Sequence, residues 1–127
     1  MWRPHGPTWS GPGPVGSRRW QAAALAAVAT QVPVGKIDLG VAGYGYTWPT
    51  TGTGRTVTVA QARRLVARDG ATARWRTGPG EWTARLSDGT RLWWSDRRSY
   101  RLRVDLARQR GLHGLAVWRL GSADTLH

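Results

Sequence analysis

The sequence predicts an α/β fold: a parallel pair of strands belonging to a larger sheet, interrupted by a small α+β module. Three observations lead there. The stretches "KIDLGVAGYGYTW" (36–48) and "GLAVWRL" (114–120) alternate apolar with small or polar residues at the period of a strand. A helical pattern precedes each of them, and strand–helix–strand order with apolar outer faces implies parallel pairing. Between the two strands lie short β-like runs and one amphipathic helix, too small and too mixed to continue a parallel sheet.

Residues 1–17 read as a loop, because Pro4, Pro7, Pro12 and Pro14 with interspersed glycines exclude regular structure. From Arg18 to about Val32 an alanine-rich helix is expected, with Trp20, Ala24, Val28 and Val32 on its apolar face. Ser17 is its expected N-cap, and Pro33 with Gly35 its stop.

In the strand that follows, Ile37, Leu39 and Val41 point one way and Asp38, Gly40, Ala42 and Tyr44 the other. The first face is branched and suits helix packing. The second is small until Tyr44, as where many strands crowd one interior.

"TGTGRT" is a turn-rich link, and in "TVTVAQARRLVARDG" Thr58 and Gln61 have capping-box spacing. Val59, Ala62, Leu65 and Val66 form a stripe that Gly70 ends. Short strands are expected at "ATARWR" and "EWTARL", and Ser87-Asp88-Gly89 turns the chain into "TRLWWS". Asp96 then caps a helix running to about Arg110, with Tyr100, Val104 and Ala107 inward and Gly111 at its end. Two parallel strands cannot bury a sheet by themselves, so the pair implies further strands.

Composition narrows the function. The formal net charge is +12, carried by arginine with Lys36 the one lysine, yet no segment packs five basic residues together as nucleic-acid arms often do. The spread of the charge along the chain therefore disfavours nucleic acid as partner, although an arginine-rich binder of nucleic acid or of an anionic cell-wall polymer stays an alternative. There is no cysteine, which excludes disulfides and thiol catalysis. No window approaches the roughly 18 apolar residues of a membrane span. The first residues hold Pro and Gly where a signal peptide needs an apolar run, so no export address is expected. His5, His113 and His127 share no metal-ligand spacing, so no metal or other cofactor is expected. The glycines of "YGYTWPTTGTG" form no phosphate-cradling pattern.

The ordered series "PGPVGSRRWQ", "VPVGKIDLGVAGYGYTW" and "LWWSDRRSYRLRVDLARQRGLHGLAVWRLGSAD" resembles the C-terminal part of glycoside hydrolase family 18, in its chitinase-like and spore-cortex-lytic branch. The resemblance runs from about Trp9 to Asp124. It implies the last two strands of a (β/α)8 TIM barrel, incomplete here, over residues 18–124, with residues 49–95 as the α+β insertion after the seventh strand. Residues 36–44 would be that seventh strand and 114–120 the eighth.

Trp118 matches the family's eighth-strand tryptophan under the sugar whose bond is cleaved, and a barrel places its site at the C-terminal ends of its strands. The resemblance thus implies Trp118 and Tyr44, with Tyr46 and Trp48 on the exit loop, as substrate-binding residues for an N-acetylglucosamine polymer, chitin or peptidoglycan. Trp93 and Trp94 would anchor the insertion, and Asp124 would either cap a loop or approach the sugar.

Family members protonate the leaving oxygen with a glutamic acid ending a D-x-x-D-x-D-x-E motif. The one glutamate here is Glu81, with no aspartate two or four residues before it. No catalytic residue is therefore assigned, and the chain is expected to be a truncated module, inactive alone, whose partner is a complementary N-terminal fragment. A non-catalytic carbohydrate binder is the other alternative. An extracellular or cell-wall location is implied by the family alone.

Overall fold

A computed structural model describes residues 5–118. Its elements are α1 (Arg18–Val28), β1 (Asp38–Ala42), β2 (Gly45–Trp48), β3 (Arg55–Val57), α2 (Val59–Asp69), β4 (Arg74–Arg76), β5 (Glu81–Arg85), β6 (Arg91–Trp94), α3 (Arg97–Arg110) and β7 (Gly114–Trp118). They form two sheets: the pair β1–β7, and a five-stranded sheet of order β3-β2-β6-β5-β4. Pro4, Arg119, Leu120, Asp124 and His127, named above, lie outside the described residues.

β1 and β7 are parallel and in register, Asp38 opposite Gly114 through to Ala42 opposite Trp118. Ile37, Leu39 and Val41 are buried with Leu25 of α1 and Leu106 of α3, while Tyr100, Leu115 and Val117 pack around them. The opposite face carries Asp38, Gly40, Ala116 and Trp118, all exposed. One face is thus apolar under helices and the other carries small residues up to Trp118, as the alternation predicts; the crowding expected on that second face is not present among the described residues.

The five-stranded sheet is antiparallel throughout. Val57, Ala84, Leu92 and Trp94 are buried beneath Val59 and Ala62 of α2. The capping box is present: Gln61 N–H donates to Thr58 Oγ1 at 3.0 Å and Thr58 N–H to Gln61 Oε1 at 2.9 Å. Gly70 ends the helix at φ +74°, a left-handed conformation that glycine adopts without steric cost. Trp94 lies in this core and Trp93 is half-buried beside Tyr46, its cross-strand partner.

Four expectations are corrected. First, α1 ends at Val28 and not at about Val32, and its buried residues are Gln21 and Leu25, whereas Val28 is 45% exposed and Val32 36%. The cause is polar docking: Gln21 Nε2 donates to the Gly40 carbonyl at 2.7 Å, and its Oε1 accepts from Arg103 Nε at 3.1 Å.

Second, Ser17 makes no side-chain cap, and its buried hydroxyl has no hydrogen-bond partner among the described residues. The amide of Arg18 is satisfied instead by the Pro79 carbonyl at 2.9 Å. Third, Tyr46 and Trp48 stand on a strand, β2, and not on an exit loop. Gly45 opens that strand where a Cβ would meet the Trp93 carbonyl oxygen and Trp94 Cβ, both at 2.6 Å.

Fourth, the inward face of α3 holds Ser99, Arg103 and Leu106 besides the expected Ala107 and the half-buried Tyr100, which packs on the strand-pair core, while Val104 is half-buried. Asp96 does cap this helix, its Oδ1 accepting from Arg98 N–H at 2.9 Å and Ser99 N–H at 3.3 Å.

Arg103 is 1% exposed and joins parts of the chain that are far apart in sequence. Its guanidinium donates to the carbonyls of Gly80 at 2.7 Å, Gly16 at 2.6 Å and Pro79 at 3.0 Å, besides Gln21. Glu81, wholly buried, lies 3.6 Å from it and accepts the amides of Val15 and Gly16, each at 2.8 Å. Buried charges persist only when paired and hydrogen-bonded, and these are. The cluster ties the N-terminal loop, α1, α3 and the β4–β5 turn together.

Candidate functional site

At the C-terminal ends of β1 and β7 the chain keeps the two strands in contact for one more step, Gly43 N–H donating to the Trp118 carbonyl at 2.8 Å. Trp118 lies level with Ala42, so Tyr44, two residues on, belongs to the same side of the strand pair. The chain then passes into β2, which carries Tyr46.

Tyr44, Tyr46 and Trp118 line one cavity of about 500 Å³, completed by Thr56, Thr58 and Gln61 from the start of α2 and the strand before it. Trp118 is 70% exposed, the most exposed of the large apolar side chains among the described residues. The rings of Tyr44 and Tyr46 meet edge to face, 5.4 Å between centroids and 61° between planes. The Tyr46 hydroxyl donates to that of Tyr44 at 3.4 Å. Burial, then this hydrogen bond, push the Tyr46 phenol far above its ordinary range, so it stays neutral.

Among the described residues the lining is therefore three aromatic rings, two threonine hydroxyls, one carboxamide and the apolar Val57, with no carboxyl group among them. A flat indole beside neutral hydroxyls suits a neutral, polyhydroxylated ring: an apolar face to stack and polar edges to hydrogen-bond. It offers no proton donor of carboxylic acid strength.

Of the six described acidic side chains, five are engaged elsewhere and the sixth, Asp105, is exposed on α3. Glu81 holds Val15, Gly16 and Arg103; Asp96 caps α3 and pairs with Arg63 at 3.0 Å. Asp69 accepts from Ser87, Asp88 from Thr90 N–H, and Asp38 lies 2.8 Å from His113 Nδ1. Burial pushes the Glu81 carboxyl up, while Arg103 and the amides of Gly16 and Val15 pull against it. Among the described residues no three His, Cys, Asp or Glu side chains converge as metal ligands.

Of the four residues expected to bind substrate, Tyr44, Tyr46 and Trp118 share the cavity and Trp48 does not line it. Trp48 is 7% exposed, and its Nε1–H is shared between the carbonyls of Gly6 at 3.2 Å and Ser10 at 3.0 Å. It holds the N-terminal loop against β2. Sequence reasoning missed Thr56, Thr58 and Gln61, since a cap and a strand edge carry no mark of a pocket. It also missed Arg103, whose one signal was its spacing of four from Ser99 and from Ala107 on the helix.

No family model and no curated protein matches the chain. Solved structures do. A chitinase from Chromobacterium violaceum is 32% identical with a TM-score of 0.82, over 89% of this chain and 37% of its own. A class V chitinase from Pseudomonas fluorescens is 25% identical with a TM-score of 0.77, over 94% of this chain and 41% of its own. The spore cortex-lytic enzyme of Bacillus megaterium is 23% identical with a TM-score of 0.79, over 89% of this chain and 28% of its own. The chain thus spans less than half the length of the structures it resembles.

Proposed function

We propose that this chain, similar to the C-terminal part of chitinases and spore cortex-lytic enzymes of glycoside hydrolase family 18, supplies one wall of a binding site for N-acetylglucosamine polymers. In this reading β1 and β7 are the last two strands of an incomplete (β/α)8 barrel within residues 18–124, and the five-stranded sheet with α2 is the insertion, 49–95 extended back to Gly45. Trp118 stacks under a sugar ring. Tyr44 and Tyr46 face it with their hydroxyls.

The observation that carries the reading is the convergence of these three aromatic side chains on one cavity at the C-terminal ends of two parallel strands, where barrel enzymes place their sites. Substrate-assisted hydrolysis in this family needs a carboxylic acid at the leaving oxygen. Among the described residues the cavity has none, so in this reading the described part of the chain binds glycan and does not cleave it alone. A complementary N-terminal segment carrying the acidic motif would complete the chemistry and cover the small-residue face of the strand pair.

The test is retention of the purified chain on insoluble chitin beside Trp118→Ala. The wild-type chain is expected in the pellet and the variant severalfold less so. Equal retention of both removes the platform.

A further inference from the structure

A second groove opens directly off the aromatic cavity. Its volume is about 290 Å³, and it shares Thr56, Val57 and Gln61 with the cavity as common lining. Beyond those residues its walls carry three cations: Arg55 on β3, and Arg64 and Arg68 one turn apart on α2. All three are exposed, and among the described residues none has a side-chain hydrogen bond or ion pair. Arg63 and Arg103, by contrast, pair with Asp96 and Glu81.

Arg64 and Arg68 are like charges at a spacing of four on one helix, which repel, and Arg55 adds a third from the facing edge strand. Arg68 in the last turn has the helix dipole to favour it; Arg64 and Arg55 do not. Among the described residues no acid lines the groove to offset them. A guanidinium binds carboxylate through two parallel N–H···O bonds, so a trio of unpaired arginines beside a sugar-sized cavity fits a glycan that bears carboxylates.

We propose that a polymer lying across Tyr44, Tyr46 and Trp118 continues past Gln61 into the Arg55–Arg64–Arg68 groove, which selects a carboxylate-bearing N-acetylglucosamine polymer over neutral chitin. This rests on the glycan-binding reading above and adds the charge class of the substrate.

The experiment measures retention of the full chain on peptidoglycan stripped of phosphate polymers, on the same material with its carboxyls amidated, and on chitin. Wild-type, Arg55→Gln/Arg64→Gln/Arg68→Gln and Trp118→Ala chains are compared. On free-carboxyl material the triple variant is expected to bind about tenfold less than wild type, and wild type to lose as much on amidation. Added salt should weaken wild-type binding, as it screens exposed charge. On chitin the triple variant and wild type should be equal.

Equal retention of the triple variant and wild type on free-carboxyl peptidoglycan overturns the proposal, as does an equal loss on chitin. Binding that appears only when phosphate polymers are left on overturns it in favour of a phosphate ligand. Displacement of the wild-type chain from stripped peptidoglycan by equimolar duplex DNA overturns it in favour of nucleic acid. Retention of Trp118→Ala at the wild-type level on every material overturns the aromatic reading instead, leaving the arginine comparison to be read separately.

Discussion

Ala42 and Trp118 stand directly opposite each other at the ends of two parallel strands, and that single pairing sets where the candidate site lies. It brings Trp118 level with the step into Tyr44, so residues from distant parts of the sequence line one cavity. The register in turn is held by apolar residues on the other face, Leu39 and Val41 beside Leu115 and Val117. Slipping it by one residue would turn Trp118 into that core.

Among the described residues the cavity lacks a carboxylic acid, and general acid catalysis contributes roughly 10²–10⁴-fold. The purified chain should release no product from chitin oligosaccharides or peptidoglycan above a no-protein blank. Measurable release would mean that a proton donor operates without the acidic motif.

Arg103→Ala should be among the most destabilising single substitutions. It strips Glu81 of its guanidinium and leaves the carbonyls of Gly16, Pro79 and Gly80 without their donor. Breaking a buried ion pair from one side costs about 3–5 kcal/mol. A urea denaturation curve close to that of the wild-type chain would show that water satisfies these groups.

Stability should also depend on pH through Glu81. Burial raises its carboxyl above the ordinary 4.5 in the folded chain. Below the unfolded value both states hold the proton and the contribution is complete. As pH rises the unfolded chain releases its proton first, so the contribution falls until the folded carboxyl ionises. Comparing urea midpoints of wild type and Glu81→Gln from about pH 4 to 7 reads this directly. Wild type should lose ground to the variant with rising pH; a gain would mean that Arg103 and the two amides outweigh burial.

Trp48→Phe separates anchoring from binding. It removes the indole N–H shared by Gly6 and Ser10, a loss of about 1–3 kcal/mol where buried acceptors are left unpaired. Chitin retention should be unchanged once the variant is folded. A drop in retention at unchanged stability would return Trp48 to the binding surface.

Much of this was legible in the sequence where one local rule decides the outcome. Thr58 with Gln61 and Asp96 announce helix starts through side chains that can reach only nearby amides, and Gly70 and Gly111 mark helix ends by their left-handed backbones. The strand pair was legible because Ile37, Leu39 and Val41 alternate with small residues. The resemblance to chitinase-like enzymes was legible from ordered motifs, and the solved structures bear it out.

The rest depends on partners distant in sequence. Gln21 reads as solvent-facing until Arg103 and the Gly40 carbonyl lie beside it, so the buried face of α1 could not be taken from apolar spacing. The alternation of 37–44 runs into Tyr46 and Trp48 without a break, and nothing in a period of two reveals that the chain changes sheets at Gly45. Likewise the meeting of Arg55 with Arg64 and Arg68 depends on how β3 lies along α2.

The measurement that bears most directly on the central claim is calorimetric titration of the folded chain, and of Trp118→Ala, with a soluble N-acetylglucosamine oligomer. The wild-type chain should bind, and the loss of the indole should weaken binding by about tenfold or more, the worth of roughly 1.4 kcal/mol of stacking. Equal affinity in the two proteins, or no heat from either, would mean that the cavity between Tyr44 and Trp118 does not hold a sugar.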